Sequence, residues 1–152
     1  MLEQYRILTL LKAKTKVLDI YVLKQHEEVE EKRLAELYDE IKGDGFLKKA
    51  IAVDLNNHII IDGHHRYNVI KALGCNRIPA LLVDYFSPIL KVLSWKGGGE
   101  ISKTSVVEAG LSGKLFPART TRHVICFNGS LFHISTLEPE VNIPLSILKE
   151  GK

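Results

Sequence analysis

The sequence predicts an α+β fold, in which helices and short strands alternate irregularly. Three segments indicate it: apolar residues recur at helical spacing from Glu31 to Lys42, "KAIAVDLNNHIIIDG" has the composition of two strands around a tight turn, and "RIPALLVDY" is typical of a buried strand. The order helix, hairpin, helix, strand is characteristic of the α+β class. With 152 residues the chain is long enough to bury a hydrophobic core as one compact unit.

The first predicted helix runs from Glu31 to Lys42. Its apolar residues form one stripe, made of Leu34, Leu37, Tyr38 and Ile41. Acidic residues lie in its first turn, and Gly43 occupies the position expected of a C-terminal glycine. The segment before it, "YRILTLLKAKTKVLDIYVL", is ambiguous and fits either one more strand or a pair of helices.

A β-hairpin is predicted next, because Asn56 and Asn57 separate two runs of β-branched residues and tolerate the positive φ of a tight turn. Its second strand, residues 59–61, ends at Asp62 and Gly63. A second helix then extends from about His65 to Leu73, with Gly74 at its end.

The composition changes from Phe86 onward, with glycine-rich and basic loops and two late strands in "HVICFNG" and "LFHIS". We therefore expect a first domain at residues 1–85 and a small mixed second lobe at residues 86–152. The "KGGGE" stretch from Lys96 to Glu100 matches neither a Walker loop nor a dinucleotide fingerprint, and we interpret it as a flexible turn over the site.

Composition argues against several classes of protein. The formal net charge is +3 and the basic residues are spread along the chain, so a dedicated nucleic-acid binder is not indicated. Cys75 and Cys126 stand far apart without a CxxC pair, and we expect both to be small buried hydrophobes. No signal peptide or long apolar span is visible, so we expect a cytoplasmic protein that does not cross a membrane. The oligomeric state is not predicted.

The stretch "IIIDGHHRYNVIKALG" concentrates polar residues where a strand turns directly into a helix. The first N–H groups of a helix attract anions such as phosphate, Gly63 allows close approach to the backbone, and Arg66 with His64 or His65 can add donors. Asp62 would repel a bare phosphate, so it suits a hydroxyl, an amine or a metal ion. The alternative is purely structural: Asp62 caps the helix, Gly63 fits the turn and the histidines are exposed. A zinc site is disfavoured, since the histidines are adjacent and no cysteine is near.

This stretch and the preceding "EEVEEKRLAELYDEIKGDGFLKKAIAV" resemble the ParB/sulfiredoxin superfamily over roughly residues 22–85. Sulfiredoxins carry a catalytic cysteine where this chain has His64, and ParB partition proteins have paired arginines and a helix-turn-helix domain that are not visible here. The free L-serine kinases resemble the chain in three further places, "KQHEEVEE", the tryptophan of "VLSWKGGGE", and "LFPARTTRH". The segment between the tryptophan and the last motif is shorter here than in longer family members.

The resemblance implies an α+β enzyme that uses ADP or ATP, with Mg²⁺, to phosphorylate free L-serine. It implies Glu27 as the general base, with Glu28 as the next choice. The implied nucleotide-binding residues are Gly63, His64, His65, Arg66, Thr120, Thr121, Arg122 and His123. The implied substrate-binding residues are Asp62, Trp95 and His123, and Asp62 either holds magnesium through water or binds the ammonium group of serine.

Each of these residues also has a purely structural interpretation. "EEVEE" is an ordinary solvated helix start, and Trp95 suits a lobe interface as well as a substrate pocket. The alternative function is a ParB-like nucleotide-binding regulator or DNA-associated module without kinase activity. The sequence leaves open whether the donor is ADP or ATP and whether the product enters cysteine biosynthesis.

Overall fold

The computed structural model describes residues 2–97 and 99–149, and it confirms the α+β class. The helices are α1 (Leu2–Leu10), α2 (Glu31–Asp44), α3 (His64–Ala72), α4 (Lys103–Ser112) and α5 (Leu145–Leu148). The strands are β1 (Lys14–Asp19), β2 (Phe46–Lys49), β3 (Ile51–Asp54), β4 (Ile60–Asp62), β5 (Arg77–Val83), β6 (Leu90–Ser94), β7 (Thr121–Phe127), β8 (Ser130–His133) and β9 (Glu140–Pro144).

The strands form three small sheets. The largest has the order β1-β5-β3-β4, in which β3 pairs antiparallel with β4 and parallel with β5. The parallel pair requires a crossover, and α3 lies within that connection. β6, β7 and β8 form an antiparallel sheet, and β2 pairs with β9.

Among the residues that the structure describes, two hydrophobic clusters make up the core. The first lies between the largest sheet and helices α2 and α3, and includes Leu37, Ile51, Ile60 and Ile70. The second joins the other side of that sheet to α1, α4 and the sheet of β6 to β8, and includes Leu11, Val83, Val106 and Ile125. The sheet is therefore covered on both faces, which explains why β3 and β5 are almost entirely apolar.

Several predicted boundaries need correction. Helix α2 continues to Asp44, and its left-handed C-terminal residue is Gly45 (φ +79°) instead of Gly43, because the Gly45 N–H donates to the Ile41 carbonyl. Helix α3 begins at His64, one residue before the predicted start. The ambiguous N-terminal segment contains most of α1, the strand β1 and a short 3-10 helix at Ile20–Val22.

The C-terminal part of the chain contributes to both hydrophobic clusters. β6 to β8 form their own sheet, whereas β9 pairs with β2 and Leu145 and Leu148 of α5 are buried in the first cluster. The division into residues 1–85 and 86–152 stays a prediction, and residues 1 and 150–152 lie outside the described part. Gly98 of the predicted "KGGGE" turn also lies outside it, while Leu93 of β6 forms a bridge with Glu100. Cys75 is buried as expected, but Cys126 is only partly buried.

Candidate active site

A cavity of about 400 Å³ opens where the amino end of α3, the segment around Glu27 and the start of β7 meet. It is lined by most of the residues that the sequence singled out, namely Glu27, Asp62, Gly63, His64, His65, Arg66, Trp95, Thr121 and His123. Residues far apart in the chain are thus brought to one place. Further charged or titratable side chains line the cavity as well, among them Glu28, Glu30, Arg33, Arg119 and His133.

The amino end of α3 has the geometry of an anion site. Gly63 has φ +107° and precedes the helix, and no side chain caps the helix there. The N–H of Tyr67 makes the first intrahelical hydrogen bond, to the Gly63 carbonyl, so the three preceding N–H groups point out of the helix. A Cβ atom at Gly63 would lie 2.4 Å from Cγ2 of Ile51, so both the conformation and the space require glycine.

The carboxylate of Glu27 also lines this cavity and is held by the segment that leads into β7. Its Oε1 accepts hydrogen bonds from the N–H (2.9 Å) and the hydroxyl (2.6 Å) of Thr121, and its Oε2 accepts one from the N–H of Arg119 (3.2 Å). The backbone is fixed on either side, since Phe116 donates to the His26 carbonyl and accepts from the Glu28 N–H. Glu27 is therefore ordered at the cavity wall, whereas Glu28 is exposed.

Buried histidines lie at the floor of the cavity: His64 and His123 line it, and His26, which does not line it, packs against both rings. The ring of His26 lies 4.5 Å from that of His64 and 5.5 Å from that of His123, both in edge-on geometry. Burial lowers the pKa of His26 to about 4 and lowers the pKa values of His64 and His123 well below their usual range. All three rings are neutral at pH 7, and the Tyr85 hydroxyl contacts Nε2 of His123 at 2.9 Å.

The two histidines of the α3 turn use one ring nitrogen each to hold neighbouring backbone. Nε2 of His64 accepts the N–H of His26 (3.2 Å), and Nε2 of His65 accepts the N–H of Glu30 (3.0 Å). His64 is 8% exposed, which contradicts the alternative interpretation that both histidines are merely solvent-exposed. Because both Nε2 atoms act as acceptors, neither can donate to a phosphate while these hydrogen bonds persist.

Arg66 lies behind the turn in a cluster with the carboxyl groups of Asp62 and Glu138. Its guanidinium donates to the Ala50 carbonyl (2.8 Å), to Asp62 (3.2 Å) and to Glu138 (2.9 Å). Burial raises the pKa of Glu138 to about 9 despite the neighbouring Arg66, and the nearby Asp62 raises it further, so Glu138 is protonated at neutral pH. Oδ1 of Asp62 also lies 4.0 Å from Nε2 of His133.

Thr120 and Arg122 do not line the cavity, in contrast to their neighbours. Successive residues along this extended segment face opposite sides, so the cavity receives Thr121 and His123 while the intervening side chains point elsewhere. The Thr120 hydroxyl donates to the Pro117 carbonyl, and the Arg122 guanidinium lies 5.4 Å from the ring of Trp95. The predicted nucleotide-binding role of these two residues has no support from the geometry.

Trp95 is 52% exposed at the rim of the cavity, beside the ring of His133 at 6.3 Å. Its side chain lines the cavity and is partly exposed to solvent, so Trp95 is not a core residue.

Sequence reasoning missed His26, His133 and Glu138. His26 belongs to the quoted "KQHE" motif, and its position next to Glu27 is a usable signal. Glu138 approaches Arg66 from 72 positions along the chain, and no local pattern announces such a contact.

No cluster of three or more metal-binding side chains occurs within residues 2–97 and 99–149. In the same part of the chain, every helix is too short or too polar to span a bilayer.

Comparison with known proteins shows similarity to L-serine kinases. An ATP-dependent L-serine kinase of Desulfurococcus mucosus is 36% identical over 86 residues, which cover 54% of this chain and 34% of that protein. An ADP-dependent L-serine kinase of Thermococcus kodakarensis is 31% identical over 90 residues, covering 57% and 37%. The matched segment therefore spans only about a third of each relative's length.

Solved structures share the fold over nearly the whole chain. A free serine kinase in complex with AMP has a TM-score of 0.73 at 18% identity, with 88% of this chain and 93% of that chain covered. A C-terminally truncated SbnI from Staphylococcus aureus has a TM-score of 0.65 at 17% identity, with 91% and 90% covered.

The model of the ParB N-terminal domain matches residues 8–88, which include α2, the hairpin, α3 and β5. This match covers more than half of the chain and contains the glycine turn at the amino end of α3. The chain belongs to the ParB N-terminal domain family.

Proposed function

We propose that this protein is a kinase that transfers a phosphoryl group from ATP or ADP to the hydroxyl of free L-serine, giving O-phospho-L-serine. One observation carries the proposal: a single cavity is lined by both the ordered Glu27 carboxylate and the uncapped amino end of α3. Phosphoryl transfer to an alcohol needs such a pair, a base for the hydroxyl proton and donors that hold phosphate. The L-serine kinases among the relatives, which use ATP or ADP, agree with this assignment.

In the proposed reaction the N–H groups at the amino end of α3 hold the donor phosphates, with the positive charge of Arg66 behind them. Glu27 takes the proton of the serine hydroxyl, whose oxygen forms the new bond to phosphorus. The bond between that phosphorus and the bridging oxygen of the nucleotide breaks, and its electron pair leaves with AMP or ADP.

The serine pocket is proposed at Trp95, His123 and Asp62, which line the same cavity as Glu27 and the amino end of α3. The indole of Trp95 gives an apolar wall, and Asp62 offers a carboxylate oxygen to an ammonium group. His123 has its Nε2 occupied by Tyr85, so its role is to shape the pocket.

Magnesium is proposed as the cofactor, with Asp62 as the residue that would hold it. The residues fit, because Mg²⁺ in nucleotide sites is commonly bound by one or two carboxylates together with phosphate oxygens and water. When bound, the ion would neutralise negative charge on the phosphates. Asp62 serves either the ion or the serine ammonium group.

We place this activity in the cytoplasm, where free serine and nucleotides are available, and cysteine biosynthesis is one route that can consume the product. The function is tested by incubating the purified protein with L-serine, Mg²⁺ and ATP or ADP in turn. Phosphoserine with an equal amount of ADP or AMP supports the kinase and identifies the donor. Nucleotide binding without phosphoserine would instead support the ParB-like regulator.

A further inference from the structure

A continuous chain of short polar contacts runs from the Glu27 carboxylate into the buried floor of the cavity. Oε1 of Glu27 lies 2.6 Å from the hydroxyl of Thr121, and that hydroxyl lies 2.9 Å from Nε2 of His26. The other ring nitrogen of His26, Nδ1, lies 2.7 Å from the carbonyl of Ile60. Three side chains are thereby connected without an intervening gap.

In this series of contacts from Glu27 to the Ile60 carbonyl, one hydrogen bond lacks the hydrogen that it needs. The Ile60 carbonyl can only accept, so Nδ1 of His26 carries hydrogen, and Nε2 of the neutral ring has a lone pair. The Thr121 hydroxyl has a single hydrogen, and an ionised Glu27 and Nε2 of His26 both compete for it. The 2.6 Å contact is typical of a hydroxyl that donates to a carboxylate, which leaves two lone pairs facing each other at Nε2.

One added proton completes the chain. With hydrogen on Oε1 of Glu27, the carboxyl group donates to the Thr121 hydroxyl, which then donates to Nε2 of His26. We infer that His26 and Thr121 are positioning residues that stabilise the proton which Glu27 takes from the substrate hydroxyl. This inference rests on the proposed function for the source of the proton, but the chain itself exists in the protein without substrate.

The substrate O–H bond breaks, and a new O–H bond forms at Oε2 of the Glu27 carboxylate. Among the described residues, Oε2 accepts one hydrogen bond, from the N–H of Arg119, whereas Oε1 accepts two from Thr121. A half-turn of the carboxyl group brings this hydrogen beside Thr121, whose hydroxyl rotates towards His26. The carboxyl group returns the proton to water after the phosphorylated product leaves.

Other titratable groups face the chain from several elements. They are His64 of α3, His123 of β7, Asp62 of β4, Tyr85 after β5, exposed Glu28, and Arg119 with its partner Glu30. His64 and His123 are neutral, and burial keeps His26 from becoming a stable imidazolium although Asp62 favours it. The stored proton therefore stays on Glu27, hydrogen-bonded through Thr121, and does not settle on the ring.

The first test needs no turnover. NMR of protein with ¹⁵N-labelled histidine and ¹³C-labelled glutamate follows Nε2 of His26 and the carboxyl carbon of Glu27 from about pH 8 to about pH 4. We expect the two signals to change in step in the wild type and in Thr121→Ser, and to separate in Thr121→Val, which keeps the shape but lacks the hydroxyl. Signals that change independently in the wild type would show that Glu27 and His26 are not coupled through Thr121, and would overturn the inference.

The second test uses turnover and separates the two proposals. In Thr121→Val we expect kcat to fall roughly tenfold with KM values within about twofold, and the curved dependence of the rate on the D₂O fraction to become linear. Thr121→Ser should restore most of the rate and the curvature. A Thr121→Val enzyme with wild-type kcat and curvature would overturn the role in catalysis. A wild-type protein that makes no phosphoserine would overturn the proposed function, while the NMR result would still decide whether the chain exists.

Discussion

The carboxylate of Glu27 accepts hydrogen bonds from both the backbone N–H and the hydroxyl of Thr121, a residue 94 positions further along the chain. This contact connects the segment before α2 to the first residue of β7 and fixes the carboxylate at the cavity wall. A flexible surface glutamate would have to be ordered each time it reacted. The pre-ordered position of Glu27 is what makes it suitable as a general base.

Replacing Glu27 by Gln is expected to lower kcat by roughly two orders of magnitude or more, the usual effect of losing a general base. Nucleotide affinity should hardly change, because glutamine keeps the size of the side chain and the phosphate donors lie on α3. Phosphoserine formation and calorimetric titration with nucleotide measure the two effects. Glu28→Gln is the matched control, since Glu28 lines the same cavity but is exposed. Loss of activity in Glu28→Gln together with an active Glu27→Gln would move the base to Glu28.

Gly63→Ala is expected to destabilise the protein by about 2 kcal/mol or more. A side chain at φ +107° is strained, and the new Cβ would lie 2.4 Å from the side chain of buried Ile51. Gly45→Ala is the matched control, because Gly45 has φ +79° with nothing within 4 Å, so it should cost only about 1 kcal/mol. Urea unfolding measures both free energies. Equal losses in the two variants would show that the close approach to Ile51 has no energetic effect.

Local patterns in the sequence predicted the part of the fold that depends on neighbouring residues. The helical stripe on α2, the hairpin around Asn56 and the turn at Gly63 are features of periodicity and backbone conformation, and the structure has all three. The positive φ of the hairpin turn, however, is at His58 (φ +57°) and not at the two asparagines for which it was expected. The position of Glu27 near that turn came from the family resemblance and not from spacing.

Contacts between distant segments account for what the sequence did not reveal. The pairing of β9 with β2 and the contact of Glu138 with Arg66 depend on how the chain folds back, and no local pattern encodes it. The family resemblance implies Thr120 and Arg122 together with Thr121 and His123, because it covers the motif as a whole. An extended strand places alternate residues on opposite sides, so only half of such a motif can reach one cavity.

The protein is expected to lose stability at a higher pH than protonation of its carboxylates alone would produce. Burial depresses the pKa of His26 from about 6.5 in the unfolded chain to about 4, and it also lowers the pKa values of His64 and His123 well below their usual range. The unfolded state therefore binds more protons below about pH 6.5, and the free energy of unfolding falls as the pH decreases. For His26 alone the loss is about 3 kcal/mol by pH 4.

Urea unfolding at several pH values between about 7 and 4 measures this effect. The three histidines take up to about three protons on unfolding, while the Glu138 carboxyl group releases one above about pH 4.5, so the slope should correspond to a net uptake of up to about two protons. Replacement of His123 by Gln should reduce the slope by about one proton, because that ring no longer titrates in the unfolded chain. A free energy of unfolding that is constant over this range would contradict the assignment of neutral buried rings.

Arg66→Ala is expected to weaken nucleotide binding at least tenfold, a loss typical of removing a charged partner of phosphate. The guanidinium contributes positive charge behind the amino end of α3, and it also balances the carboxylate of Asp62 at 3.2 Å. Without it, Asp62 presents an unpaired negative charge beside the phosphates. The double variant Arg66→Ala with Asp62→Asn should therefore recover part of the lost affinity.

Arg119→Ala is the control, because Arg119 lines the same cavity but its side chain is 75% exposed and pairs with Glu30. Its loss should weaken nucleotide binding by less than about threefold. Calorimetry with ADP, with circular dichroism to verify folding, measures all of these affinities. If folded Arg66→Ala binds ADP as the wild type does, the phosphates do not lie at the turn of α3, and the placement of the nucleotide is wrong.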